Sequence, residues 1–269
     1  APDRRRKSKK PVDEVKVIVP AFPGTNSEYD TARAFERAGA KAEIVIFKNK
    51  DEAKVLESIE ELAEKISEAQ ILAIPGGFSL GDEPGGSGKF IANVIRSEKV
   101  KRAIEKLLNE NDGLILGICN GFQALVKTGL LPYGKVTSPQ EDDPNLTFNT
   151  NRRHIATFVD TLCLTNNSPW TNGIDLNKTY RMPISHGEGR FVIKKDKLQE
   201  LLDNEQVFSA YKISPNGSDY NIEGILSRDG KILGRMCHTE RIADDLYKNI
   251  YDIDKQNIFR NAVEYFKEK

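Results

Sequence analysis

The stretch Leu114-Ile115-Leu116-Gly117-Ile118-Cys119-Asn120-Gly121 constrains the fold more tightly than any other part of this chain. Leu114 to Leu116 read as a short buried strand. Phe122 to Val126 read as a packed helix that stops at Gly129. One glycine stands two residues before the cysteine and another two residues after it. That spacing is the cysteine form of a strand–nucleophile–helix turn, whose bend leaves little room for side chains beside the nucleophile. It predicts a sulfur exposed at a strand end, with the first N–H groups of the helix aimed at it. Such N–H groups favour a thiolate and stabilise an oxyanion. The bland alternative is a buried cysteine that happens to lie between glycines.

Upstream, strands alternate with helices. Val15 to Val19 form a β-branched strand expected to end at Pro20. The loop Phe22 to Ser27 leads into a helix near Glu28 to Ala38, with Gly39 as its stop. Ala42 to Phe47 read as a second strand, and Val55, Leu56, Ile59, Leu62, Ala63 and Ile66 recur at helical spacing. Ile71 to Ile74 form a third strand that runs into Pro75-Gly76-Gly77-Phe78. Helical segments follow between Lys89 and Asn109, broken near Ser97. This alternation predicts an α/β fold with an open, mostly parallel sheet flanked by helices. Ligand sites in such sheets lie beyond the carboxyl ends of the strands, where Gly76, Gly77 and Cys119 all fall.

The second half is strand-rich. Pro132 to Arg153 read as a long polar loop. Ile155 to Val159 and Leu162 to Leu164 read as two paired strands, and Pro183 to Phe191 carry a strand at each edge. A short helix over Lys197 to Leu202 precedes strands at Val207 to Tyr211, Ile222 to Leu226 and Ile232 to Met236. The last helix begins near Lys255.

Composition excludes some functions. Lys plus Arg and Asp plus Glu number 40 each, so no net charge draws the chain to nucleic acid or to a membrane. No apolar run is long enough to span a bilayer, and the opening residues do not form a secretion signal. Three cysteines, Cys119, Cys163 and Cys237, cannot all pair, which points to reduced thiols and a cytoplasmic setting. Arg4, Arg5, Arg6, Lys7, Lys9 and Lys10 make a basic run without aromatic residues to stack bases. Residues 1–12 therefore read as a solvated linker or tail before one domain over 13–269.

A cysteine nucleophile needs a base and a group to orient that base. Of three histidines, His154 lies in a basic loop and reads as a surface residue. His186 precedes Gly-Glu-Gly, and His238 follows the predicted strand Ile232 to Met236. His238 thus stands at a strand end, as Cys119 does, and Glu240 two residues on can reach the imidazole nitrogen that faces away from the sulfur. The oxyanion needs two N–H donors. Asn120 supplies one, and Gly77, in a loop without side chains, is the choice for the other. Gly85-Gly86-Ser87-Gly88-Lys89 is not a phosphate loop, because Glu83 and Phe90 stand where Gly and Ser or Thr are required. No cysteine–histidine spacing suits zinc, and the domain shows no cofactor site of its own.

Gly-Ile-Cys-Asn-Gly-Phe-Gln (117–123) resembles the nucleophile motif of triad-type glutamine amidotransferases. Its Asn-Gly-Phe-Gln form is similar to the glutaminase of formylglycinamide ribonucleotide amidotransferase. Pro-Gly-Gly-Phe-Ser-Leu-Gly-Asp (75–82), His-Gly-Glu-Gly-Arg-Phe (186–191), Asn-Ser-Pro-Trp-Thr-Asn-Gly (167–173) and Phe-Pro-Gly-Thr-Asn-Ser-Glu-Tyr-Asp (22–30) match as well. The resemblance implies a class I amidotransferase fold of flavodoxin-like type. It implies that Cys119 attacks the side-chain amide of glutamine, that His238 relays the proton and that Glu240 orients His238. It also implies that Gln123 and the backbone near His186 and Gly187, with Gly76 and Phe78 beside them, recognise the glutamine. Ammonia would pass to a synthetase domain or subunit, where ATP and magnesium are expected. His-Thr-Glu-Arg (238–241) departs from the family's usual His-Pro-Glu-Arg, which implies a less rigid turn around an intact triad. With the basic tail and the missing Met, the resemblance suggests the C-terminal domain of a large single-chain enzyme; the alternative is a separate small subunit. Another acceptor for the ammonia, or a domain that only docks and regulates, are the competing functions.

Overall fold

The computed structural model describes residues 6–79, 87–244, 246–251, 253 and 255–267. Ala1 to Arg5 of the basic run, Leu80-Gly81-Asp82 of the second motif, and Glu83, Gly85 and Gly86 lie outside the described residues. In chain order the elements are β1 (Lys16–Ala21), α1 (Glu28–Arg37), β2 (Lys41–Ile46), α2 (Glu52–Glu68), β3 (Ile71–Ile74), α3 (Lys89–Arg96), α4 (Glu98–Asn109), β4 (Leu114–Ile118) and α5 (Asn120–Thr128). There follow α6 (Leu130–Tyr133), β5 (Asn145–Thr147), β6 (Ile155–Cys163), β7 (Thr179–His186), β8 (Arg190–Val192), α7 (Lys195–Asp203), β9 (Val207–Tyr211), β10 (Ile222–Leu226), β11 (Ile232–Arg235) and α8 (Ile258–Phe266). No helix among the described residues is long and apolar enough to cross a membrane.

Among the described residues, nine strands form one sheet in the order β2-β1-β3-β4-β11-β10-β9-β6-β7. The block from β2 to β11 is parallel, and the block from β11 to β7 is antiparallel. The parallel block is the expected α/β half, and β3 and β4 are buried at every position, as their unbroken apolar runs require. The crossovers reverse direction between β1 and β3, and right-handed connections place α1 on the opposite face from α2 and α4. On the α1 face, Phe35 meets Phe259 of α8 edge to face at 5.0 Å. On the other, α2 carries its apolar stripe inward and is capped by the Asp51 carboxylate, which accepts the Lys54 N–H at 2.9 Å.

Several boundaries differ from the sequence expectation for physical reasons. β1 does not stop at Pro20. The Ala21 carbonyl accepts from Phe47 on the β2 side, so Pro20 faces β3, and pairing there has already ended at Ile18. The two strands expected between Ile155 and Leu164 are the single strand β6. Asp160 and Thr161 do not turn the chain, because Asp160 pairs with Arg181 across the ladder at 2.9 Å and Thr161 Oγ1 donates to the Tyr180 carbonyl at 3.1 Å. The polar loop contains β5, which pairs with β8. The last helix begins at Ile258 rather than near Lys255. The basic segment is not free from Arg6 onward. Ser8 and Val12 N–H groups donate to the Tyr265 and Phe266 carbonyls at 2.8 and 2.9 Å, while the Lys9 N–H donates to Asp112 at 2.8 Å. The backbone makes these contacts, and Lys7, Lys9 and Lys10 themselves stay exposed.

The β4–α5 turn sits at the centre of the parallel block. A methyl group at Gly121 would lie 2.1 Å from the Ile74 carbonyl oxygen of β3, and one at Gly117 would lie 2.7 Å from the Gly121 backbone. The two glycines let α5 begin directly against the strands. Gly121→Ala is expected to destabilise the chain by about 3 kcal/mol, through overpacking against backbone that cannot yield. Urea unfolding of the variant and the parent measures this.

Candidate active site

Cys119 stands between β4 and α5 at φ 51°, ψ −104°. A residue with a side chain held at such angles stores about 1–3 kcal/mol of strain and persists only where its surroundings enforce it. Here they do: the Cys119 N–H donates to the Arg235 carbonyl at 2.8 Å, and the Cys119 carbonyl accepts the Gln123 N–H at 3.1 Å. The sulfur points toward the Ser185 carbonyl at 3.7 Å, and the residue is 6% exposed.

His238 follows β11 and opens the 3-10 turn Thr239–Arg241. Its N–H donates to the Pro183 carbonyl of β7 at 2.9 Å, so the loop is stapled across to the far strand of the sheet. Its Nδ1 lies 2.6 Å from Glu240 Oε1, and both side chains are buried. Its Nε2 is buried, bonded to no oxygen or nitrogen among the described residues, and left to interact with Cys119. A methyl group at Gly76 would lie 2.8 Å from His238 Cε1 and 3.4 Å from Cys119 Cβ, so ring and thiol flank the same glycine. Burial opposes charge on His238. The Glu240 carboxylate and the Cys119 thiol outweigh burial and raise the imidazole pKa from 6.5 to about 9. These surroundings favour the charged ring. Its contribution to stability is complete below 6.5 and is lost as pH rises through about 9.

The loop after β1 supports this cluster from behind. Arg241 reaches Ser27 Oγ with Nη2 at 2.8 Å and holds Nε 3.8 Å from Glu240 Oε1. The Gly76 carbonyl accepts the Asn26 and Ser27 N–H groups, and the Phe78 N–H donates to the Gly24 carbonyl at 2.8 Å. Gly77 has φ 155°, and a methyl group there would lie 2.6 Å from both Gly24 O and Thr25 Cα, so no side chain fits. Neither the Gly77 N–H nor the Asn120 N–H is bonded to an acceptor among the described residues.

The residues expected to recognise a substrate surround the cysteine in different ways. Gln123 is buried and engaged at both ends, Nε2 donating to the Glu188 carbonyl at 2.5 Å and Oε1 accepting from Asn120 Nδ2 at 2.9 Å. It ties α5 to the loop after β7. Phe78 is 37% exposed at the rim, and Gly187 has open space where a side chain would point. His186 is buried against Gly189 and Asn149. Asn149 Oδ1 accepts the Gly189 N–H at 3.3 Å and so must accept from His186 Nδ1 at 3.1 Å, which fixes the neutral tautomer. Burial, with the nearby His238 and His154, lowers the His186 pKa to about 3. His186 therefore stays neutral where His238 is charged.

Sequence reasoning passed over Asn149, Ser185, Glu223 and Arg235. It also set His154 aside as a surface residue. His154 is exposed, yet its Nε2 lies 2.9 Å from Ser185 Oγ and its ring stands 6.0 Å from that of Phe78. It bridges the two lips of the cleft. Glu223 and Arg235 had a readable signal, since each is a lone charge in an otherwise apolar strand. Asn149, inside a polar loop, had none.

A strained cysteine at a strand end, a histidine and a buried carboxylate behind it, and a glycine loop alongside meet at the carboxyl edge of the parallel block. The family of CobB/CobQ-like glutamine amidotransferase domains matches residues 14–266, and the chain belongs to it. It is 34% and 36% identical to the phosphoribosylformylglycinamidine synthase subunits PurQ of two strains of Methanococcus maripaludis, over 93% of this chain and 97% and 98% of theirs. Among solved structures it is similar to a chain of PurLQS from Thermotoga maritima, with a TM-score of 0.70 and 30% identity over 94% of this chain and all of that one. The glutaminase domain of Trypanosoma brucei CTPS shares the fold, with a TM-score of 0.56 at 12% identity over 95% of each chain. These PurQ relatives are named as subunits, so they lend no support to the expectation of a domain cut from a large single-chain enzyme.

Glu240→Gln removes the charge that raises His238 most. Titration of the His238 ring by NMR should show its midpoint fall from about 9 by roughly one pH unit or more. An unchanged midpoint would contradict the assigned cause.

Proposed function

We propose that this chain is the glutaminase component of a phosphoribosylformylglycinamidine synthase. It would hydrolyse the side-chain amide of glutamine and supply ammonia for the conversion of formylglycinamide ribonucleotide to formylglycinamidine ribonucleotide in purine biosynthesis. The observation that carries this reading is the grouping of Cys119, His238 and Glu240 around Gly76, in a chain similar over most of its length to PurQ subunits.

In this reading the Cys119 sulfur, its proton passed to His238, attacks the amide carbon of glutamine. A C–S bond forms, and the carbonyl oxygen takes the electron pair. The Gly77 and Asn120 N–H groups, without other acceptors among the described residues, are the donors suited to that oxyanion. His238 Nε2 returns the proton to the leaving nitrogen, the C–N bond breaks and ammonia departs. Water then attacks the thioester, His238 taking its proton and passing it to sulfur as glutamate leaves. Glu240, on Nδ1, holds the ring in the orientation both transfers need. Glutamine is the substrate, and Gly76, Phe78, Gln123, His186 and Gly187 form its surroundings. The synthetase partner is the place for ATP and magnesium. Similarity to a chain of PurLQS from Thermotoga maritima supports an assembly of that kind.

The other two thiols are poor competitors. Burial pushes Cys163 up to about 12 and Cys237 well above its ordinary value, so neither ionises readily. A glutamine-analogue electrophile should therefore label Cys119 and spare Cys163 and Cys237, as read by peptide mass spectrometry. Cys119→Ala should lower glutamine hydrolysis by about a thousandfold or more while ammonia-dependent synthesis by the complete enzyme survives. Glutamine-dependent synthesis by that variant would exclude Cys119 as the nucleophile. With Cys119, His238 and Glu240 all nearly enclosed, the chain alone should turn over slowly and accelerate when its synthetase is added.

A further inference from the structure

Behind the cluster lies a second, wholly buried group of polar side chains. Glu223 of β10 and Arg235 of β11 are each 0% exposed and paired on adjacent strands. Arg235 Nε donates to Glu223 Oε1 at 3.1 Å and Nη2 to Oε2 at 2.9 Å. Ser209 Oγ also donates to Oε2, and the Phe208 ring lies against the guanidinium at 5.1 Å. A buried ion pair of this kind costs desolvation energy that mutual attraction alone need not return, so its other bonds indicate what it holds.

Those bonds fall on both sides of His238. Glu223 Oε1 accepts the Cys237 N–H at 2.7 Å, and the Glu223 carbonyl accepts the Met236 N–H at 3.1 Å. On the far side, Arg235 Nη1 donates to Thr239 Oγ1 at 2.7 Å and to Gln256 Oε1. Gln256 is fixed in turn by donating to Cys163 Sγ at 3.2 Å. The carbonyl of the same Arg235 accepts the Cys119 N–H. One residue therefore sets the backbone of Cys119 and, through its side chain, the turn that carries His238 and Glu240.

Thr239 is the first residue of the 3-10 turn, and its N–H has no helical acceptor but donates to the Cys237 carbonyl two residues back at 3.2 Å, so proline there costs that one bond. The chain has threonine there, and its hydroxyl is the group that the guanidinium grips. We propose that the Glu223–Arg235 pair is a clamp that positions the His238–Glu240 turn, and that the Thr239 hydroxyl takes the part a rigid ring would otherwise play. Glu223, Arg235 and Thr239 are positioning residues: they act through His238 and touch neither substrate nor reacting atoms. The proposal rests on the glutaminase reading, and it predicts a loss in the chemical step rather than in glutamine binding.

The test is steady-state glutamine hydrolysis by the chain with and without its synthetase. Thr239→Val keeps the shape and removes the hydroxyl; it should lower kcat about tenfold with KM within about twofold, as loss of one hydrogen bond to a charged donor allows. Thr239→Ser restores the hydroxyl and should stay within about threefold of the parent. Thr239→Pro, which fixes the backbone covalently, should recover most of the kcat lost in Thr239→Val. Thermal melting of each variant excludes unfolding as the cause, and Thr239→Pro against Thr239→Ser keeps the comparison if Thr239→Val melts early. Full kcat in Thr239→Val, equal losses in Val and Ser, or a Pro variant less active than Val would each overturn the clamp. Cys119→Ala run alongside separates the two readings. A parent chain that hydrolyses no glutamine with or without its synthetase defeats the glutaminase assignment, and hydrolysis surviving in Cys119→Ala defeats Cys119 as its nucleophile, whereas an active parent and a dead Cys119→Ala with an unaffected Thr239→Val defeat only the clamp.

Discussion

Cys119 occupies a backbone conformation that its side chain disfavours, and the surrounding architecture is arranged to make no other available. β4 delivers the chain between β3 and β11, and α5 must start at once because Gly121 lies directly against the Ile74 carbonyl. The residue between strand and helix then has to turn sharply, and the hydrogen bond from its N–H to Arg235 locks the turn to the neighbouring strand. Energy stored in this way is tolerable only in a fold with core to spare, which the buried β3–β4–β11 centre provides. The same geometry sends three further strand ends, those of β1, β3 and β11, toward the sulfur. From them come the loop that backs Gly77, the glycines themselves, and the turn bearing His238 and Glu240.

Two buried histidines near the sulfur are held in opposite states, and their partners account for the difference. His238 faces a carboxylate and a thiol, so it keeps its proton despite burial. His186 is bonded to an amide oxygen already committed to a backbone N–H, and burial, with His238 and His154 nearby, outweighs the pull of the Glu223 carboxylate, so it stays neutral. A charged His186 would compete with His238 for the same negative charge. The division leaves His238 as the one of these two rings whose surroundings favour holding a proton, the property required of a proton shuttle in the proposed reaction.

Much of this was legible in the chain itself, because the relevant signals are local. The turn around Cys119, the strands β3, β9 and β10, and the break between α3 and α4 at Ser97 each depend on neighbours within a few residues. His238 and Glu240 could be placed because a strand end and a two-residue spacing bring them to the right edge. What could not be read depended on partners distant in sequence. β6 is continuous only because Arg181 and Tyr180 satisfy Asp160 and Thr161. The basic segment is anchored only because α8 ends where its backbone can be received. Gln123 is engaged by a loop some sixty-five residues away, and His154 reaches the cleft rim through Ser185. Thr239, which read as a loosened turn, is tied down by Arg235, a lone charge in an apolar strand whose partner across the turn no local pattern announced.

The central claim is that Cys119 carries the glutamyl group between two chemical steps. The chain, with its synthetase present, can be mixed with glutamine, quenched in acid within the first turnovers and digested for mass spectrometry. The account predicts a glutamyl thioester on the peptide that contains Cys119, removed by hydroxylamine and absent when glutamate replaces glutamine. A chain that releases ammonia with no such adduct, or with the adduct on Cys163 or Cys237, would contradict it.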